Sequence, residues 1–184
     1  MTSVRIAWWQ AGKDPTQPWT KEMVSAKQPG ATNIHPADVN GDGKMDLIAS
    51  RGHGVGVVWF ERETDSATWS EHTIDGELRE PHCLAAIDLD RDGDIDVATV
   101  AFGSERAMWY ENDGRGNFKS HLIGEKQQAY DIRVIDLDKD GDLDLVVAGR
   151  ASPTSPTRFL ENLFSAVCNG LCCIFFPRVL QSVV

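Results

Sequence analysis

Apolar residues in this chain fall in short runs, and no stretch repeats them at the three-to-four-residue spacing of an amphipathic helix. Each run is closed by polar, glycine-rich turns, which predicts β-strands. Three runs lead into an acidic segment: Ile34 to Ala37, Leu84 to Ile87 and Ile132 to Ile135. Three more leave it: Leu47 to Ser50, Val97 to Ala101 and Leu143 to Ala148. Their near-continuous apolar character predicts strands covered on both faces. A third kind of strand carries an aromatic pair, at Gly56 to Glu61 and Ala107 to Glu111. A fourth opens on one aromatic, at Trp69 to Ile74 and Phe118 to Ile123. Between these two kinds, Asn112-Asp113-Gly114-Arg115-Gly116-Asn117 has the turn chemistry of a hairpin connection.

The four strands form a unit that recurs with a period near 50 residues. Trp8-Trp9, Trp59-Phe60, Trp109-Tyr110 and Phe159-Leu160 lie 51, 50 and 50 residues apart. Trp19, Trp69 and Phe118 form a second aromatic series, and all six tryptophans belong to one series or the other. A repeat of this length made of short strands predicts propeller blades. The expected fold is therefore all-β: four-stranded antiparallel blades of a β-propeller, about three to four in 184 residues. Closed propellers have 4–8 blades, so an incomplete propeller is expected, with uncovered edge strands open to self-association. The repeat is expected to fill residues 1–162, ending in Arg158-Phe159-Leu160-Glu161-Asn162. Residues 163–184, apolar and cysteine-rich, are expected to lie outside it; the alternative is a cap over the last sheet.

The acidic segments are Asp38-Val39-Asn40-Gly41-Asp42-Gly43-Lys44-Met45-Asp46, Asp88-Leu89-Asp90-Arg91-Asp92-Gly93-Asp94-Ile95-Asp96 and Asp136-Leu137-Asp138-Lys139-Asp140-Gly141-Asp142-Leu143-Asp144. Side-chain oxygens at positions 1, 3, 5 and 9 and a backbone carbonyl at 7 form a ligand set for a hard cation. Calcium takes six to eight oxygens at about 2.3–2.6 Å, and glycine at position 6 permits the sharp turn. An EF-hand would need an acid at position 12 and flanking helices. Position 12 is Ala49, Thr99 or Val147, and the flanks read as strands. Metal-free Asp-Gly turns are the plainer alternative, but crowded carboxylates repel by about 1 kcal/mol per pair at 4 Å even in water. A full set of protein oxygens, repeated three times, predicts structural rather than catalytic ions.

Charge refines this picture. The formal net charge of −10 equals the −2, −4 and −4 of the three loops, so the rest of the chain is neutral. Nucleic acid, which needs a basic face, is excluded as a partner. No run approaches the 18 or so apolar residues of a membrane span. Thr2-Ser3-Val4-Arg5-Ile6 lacks the apolar core of a signal peptide. The four cysteines (Cys83, Cys168, Cys172, Cys173) have no metal-type spacing.

The three Asp-x-Asp/Asn-x-Asp-Gly-x-x-Asp loops and the Trp-Tyr-Glu-Asn strand resemble the FG-GAP/VCBS repeat family, the calcium-loop propeller repeats also found in integrin alpha chains. The resemblance covers roughly Val4 to Asn162. It implies one calcium per loop, up to three in all. The side-chain ligands would be Asp38, Asn40, Asp42 and Asp46; Asp88, Asp90, Asp92 and Asp96; and Asp136, Asp138, Asp140 and Asp144. Lys44, Asp94 and Asp142 would each give a main-chain carbonyl. The Phe-Gly and Gly-Ala-Pro segments that name the family are absent, since Phe102-Gly103 follows a loop rather than preceding one.

Two histidines, His72 and His121, occupy one repeat position and read as scaffold. The ends of the first and second strands remote from the loops share the opposite face of the propeller. His35, Arg51, His53, His82, Tyr130, Asp131 and Arg150 lie near those ends and form a candidate ligand face. The leading expectation is a non-catalytic module with structural calcium that binds carbohydrate or protein there, outside the cell or on its surface. The alternative is part of a propeller enzyme, a lyase or hydrolase acting on sugars or polysaccharides, using His35, His53, His82 or Arg51.

Overall fold

The computed structural model describes residues 5–63, 68–126 and 128–149 and the backbone of Phe159–Leu160. Arg150, Asn162 and the 163–184 segment lie outside the described residues. There is no helix among the described residues, and hence none long and apolar enough to cross a membrane.

Among the described residues, thirteen strands form four antiparallel sheets. β1 (Ile6–Gln10) and β2 (Thr20–Ser25) pair as a two-stranded sheet. β3 (Asn33–Ala37), β4 (Asp46–Ser50), β5 (Val55–Arg62) and β6 (Trp69–Arg79) make the first complete blade, a simple meander. β7 (Pro81–Ile87), β8 (Asp96–Ala101), β9 (Arg106–Asn112) and β10 (Phe118–Glu125) make the second in the same order. β11 (Ala129–Ile135), β12 (Asp144–Gly149) and β13 (Phe159–Leu160) form a third sheet. These are consecutive blades of a β-propeller that does not close into a ring among the described residues.

Alternation along each strand decides which neighbour a side chain meets. From the first blade, Ile48, Val57 and Trp59 pack on Leu84, Val97 and Tyr110 of the second. From the second, Val100 and Trp109 pack on Ile132 and Val147 of the third sheet. Ala49, Val58 and Phe60, one residue out of phase, pack back on Ile6. The second strand of a blade is thus covered on both sides, and all six residues of β8 are buried. The first strands differ from the expectation of full cover. β3 alternates exposure along its length and β11 exposes three of its seven residues, whereas β7, an edge strand like them, exposes none. Polar ties add to the packing: the Leu84 N–H donates to Asn33 Oδ1 at 3.3 Å, and the buried Tyr110 hydroxyl donates to Asp75 Oδ2 at 2.7 Å.

This division makes a testable contrast. Ile48→Ala, at a fully buried site in β4, should cost about 2–5 kcal/mol in denaturant unfolding. Ile34→Ala, at a 42% exposed site in β3, should stay within about 0.5 kcal/mol.

Candidate metal centre

Each acidic loop joins the first and second strands of a sheet, so all three sit at one end of the blades. Their shape follows from short side-chain to backbone hydrogen bonds of the Asx type. The position 1 carboxylate accepts the position 6 N–H in every loop: Gly43 to Asp38 at 2.9 Å, Gly93 to Asp88 at 3.1 Å and Gly141 to Asp136 at 3.1 Å. The position 5 carboxylate accepts the position 7 N–H at 2.8–2.9 Å throughout, from Lys44, Asp94 and Asp142. The position 6 glycines have φ of +82°, +101° and +96°, and a Cβ there would meet nothing within 4 Å. Backbone conformation alone demands glycine.

Position 9 is different in kind. Asp46 and Asp96 are wholly buried and Asp144 is 2% exposed. Asp46 accepts N–H groups from Val39 at 3.2 Å and Arg62 at 2.8 Å. Asp96 accepts them from Leu89 at 3.2 Å and Asn112 at 2.8 Å. Asp144 accepts the Leu137 N–H at 2.8 Å. Burial pushes the Asp96 carboxyl up to about 6 against these hydrogen bonds, and it raises Asp46 and Asp90 as well. Asp92, Glu111 and Asp88 add like-charge repulsion at Asp90.

The remaining oxygens fit a cation in two loops. One carboxylate oxygen each from Asp88, Asp90 and Asp92 lie within 4.8 Å of one another, and so do those of Asp136, Asp138 and Asp144. Oxygens across a calcium ion stand about 4.6–5.2 Å apart, twice the bond length, so the spacing admits one. Asp88 Oδ1 and Asp136 Oδ1 are buried and take no hydrogen bond. A buried carboxylate oxygen without a partner is costly, and a cation is the counterpart it lacks. In the first loop the demand is already met. Asp38 uses both oxygens on the Asp42 and Gly43 N–H groups, and Lys44 Nζ lies 2.6 Å from Asp42 Oδ2. The first loop, the least charged of the three in the sequence, thus differs from the other two: their acids cluster closely enough to hold a cation, while Asp42 already has Lys44 beside it.

Supporting residues not singled out for the loops stand behind them. Asn40 Nδ2 donates to Glu61 Oε1 at 3.0 Å, and His72 Nε2 lies 2.9 Å from Glu61 Oε2 while its ring stacks on Trp59 at 4.4 Å. The second blade repeats this: His121 Nε2 is 2.6 Å from Glu111 Oε2 and the ring stacks on Trp109 at 4.4 Å. The His121 and Lys119 contacts hold the Glu111 carboxyl below its usual range. The available signal was Glu after the aromatic pair at Glu61, Glu111 and Glu161, where the first pair has Gln10.

At the opposite end the predicted ligand face divides. His53 meets His82 edge-on at 5.0 Å, and His82 meets Tyr130 at 4.7 Å. Phe102, not among the predicted residues, stacks on Tyr130 at 4.9 Å. Burial, with the neighbouring His53, keeps His82 below the usual imidazole range. Arg51 turns away to Glu71 at 2.6 Å and to Gln28 at 3.0 Å. Asp131 pairs with Arg133 and accepts the Cys83 thiol at 3.2 Å. His35 is held low by burial and by the charge of Arg133.

A family model described as FG-GAP-like repeat matches residues 38–99 and again 88–147. Both matches begin on the first aspartate of a loop. No curated protein matches the chain.

The dual duty of position 9 is testable without metal. In excess chelator, Asp46→Ala strands two backbone donors and should cost about 2–4 kcal/mol in urea unfolding. Asp92→Ala, on the exposed side of its loop, should change stability by less than about 0.5 kcal/mol under the same conditions.

Proposed function

This chain belongs to the FG-GAP-like repeat family, and we propose that it is a calcium-stabilised propeller module that binds a carbohydrate or protein ligand on the face remote from its metal loops. The observation that carries the calcium part is the pair of buried, unpartnered carboxylate oxygens, Asp88 Oδ1 and Asp136 Oδ1, each inside a three-acid cluster. All the donors are oxygens, which selects a hard cation; a loop of this adaptable shape suits calcium better than magnesium, which demands near-ideal octahedral geometry. Asp88, Asp90, Asp92 and Asp96 would hold one ion, with the Asp94 carbonyl. Asp136, Asp138, Asp140 and Asp144 would hold another, with the Asp142 carbonyl. Asp38, Asn40, Asp42 and Asp46, with the Lys44 carbonyl, would bind more weakly, because Lys44 competes for Asp42. The ion supplies positive charge that offsets crowded carboxylates and ties the first and second strands in register.

Free calcium is scarce in the cytosol, so loops of this kind would fill best outside the cell or on its surface, which supports that location. The ligand part rests on the His53, His82, Phe102 and Tyr130 cluster, with Tyr130 44% exposed. Exposed aromatic rings edged by a hydroxyl and imidazole nitrogens suit the flat apolar faces and hydroxyl edges of a sugar, or an aromatic-bearing peptide.

Calorimetry with calcium should give two stronger sites and one weaker. Chelator should lower the melting temperature, each site contributing about 2.7 kcal/mol at a hundredfold excess over its Kd. Asp140→Ala should abolish the third-loop site and leave the others. No heat, with unchanged melting in chelator, rules the calcium reading out. On a glycan array, Tyr130→Ala should erase whatever binding the parent shows; retained binding would move the ligand site elsewhere.

A further inference from the structure

Asn112 ends the Trp-Tyr-Glu-Asn strand and is 2% exposed. Its side chain is fully committed. Nδ2 donates to the Val39 carbonyl, 73 residues away, at 2.8 Å and to the Ile95 carbonyl at 3.0 Å. Oδ1 accepts the Gly116 N–H at 3.2 Å. The backbone N–H of Asn112 donates to Asp96 Oδ1 at 2.8 Å. One buried amide therefore joins acidic loops from two different blades. Both carbonyls lie inside ligand-bearing segments: Val39 stands between Asp38 and Asn40, and Ile95 between Asp94 and Asp96.

The hairpin that follows Asn112 is wedged between the same two loops. A Cβ on Gly41 would come 3.3 Å from the Gly114 carbonyl, and one on Gly114 would come 2.4 Å from Asp94 Oδ1. Close packing on both sides leaves neither loop free to shift alone.

From this bridge we propose that Asn112 is a positioning residue that couples the first two loops, so that a cation in one raises the affinity of the other. The inference rests on the calcium reading above. Binding an ion orders a loop, and part of that ordering fixes the Val39 or the Ile95 peptide. Once one peptide is fixed, the planar amide holds the other near its place, and the second ion has less to order. The tie between the second and third loops is of another sort. Arg91 lies 3.5 Å from Asp142, with its side chain 56% exposed, and an exposed pair of this length transmits little.

The test is calcium calorimetry on the full chain, with Asp140→Ala present throughout to silence the third loop. Adding Asp92→Ala to silence the second should raise the first-loop Kd about fivefold. With Asn112→Ala in the background, the same addition should leave the first-loop Kd unchanged. Asn112→Ser, which keeps a donor but cannot reach both carbonyls, should behave like the alanine variant and serves if that one fails to fold. A first-loop Kd indifferent to Asp92→Ala overturns the coupling. A rise that persists in either Asn112 variant overturns the role of Asn112. No calcium heat in the parent removes the calcium reading itself, a different result from heat without mutual dependence.

Discussion

The structure depends on a buried aspartate at the end of each acidic loop. Asp46 and Asp96 each reach two other places in the chain: the residue after the loop's first ligand and the end of the third strand. One carboxylate thus fixes where the first strand stops, where the second starts and where the third leaves the sheet. A buried anion is costly when its oxygens lack partners, and here two backbone donors supply them. The side chain that builds the elbow is also the ninth and last residue of the acidic segment. Loop shape and strand placement are for this reason set by the same side chain.

The three elbows are nevertheless uneven in how far their carboxylates find partners. Where four aspartates face one another, as in the second and third, backbone donors run out and Asp88 Oδ1 and Asp136 Oδ1 are left over. Where asparagine replaces one acid and Lys44 stands by, nothing is left over. The first loop also has Gly41 at the position where Arg91 and Lys139 adopt φ of +65° and +63°. A left-handed conformation costs a non-glycine residue about 1–2 kcal/mol. The loops with the greater backbone strain are therefore the loops with the greater demand for a cation, so an ion there would offset both.

The strand order and the loop positions were legible in the sequence because alternation and turn chemistry act within a few residues, and the period because the same aromatic and acidic residues recur about every 50. What was not legible is long-range. Asn112 looks like the end of a strand, yet its partner Val39 is 73 residues away. Arg51 looked available beside His53, but Glu71 and Gln28 take its guanidinium. Phe102, noted in the sequence only as part of a Phe-Gly pair that follows a loop, stacks on Tyr130. The exposure along β3 was also hidden, because a run of apolar residues does not say what packs over each of its faces.

The internal repeats also argue for a division of labour between the two ends of the blades. At the loop end, equivalent positions carry nearly the same residues three times over, as a shared physical job requires. At the other end they diverge. Thr32, His82 and Tyr130 are equivalents across the three units, as are Gly52, Phe102 and Arg150. Divergence among copies that share a scaffold means that the scaffold does not dictate those side chains. The rings that meet there come from three successive units, and only His82 and Tyr130 share a repeat position: His53 is from a turn of the first blade, His82 and Phe102 from the second, Tyr130 from the third. A surface assembled only once, from parts that repetition leaves free, is where a repeat protein can hold a single, specific partner.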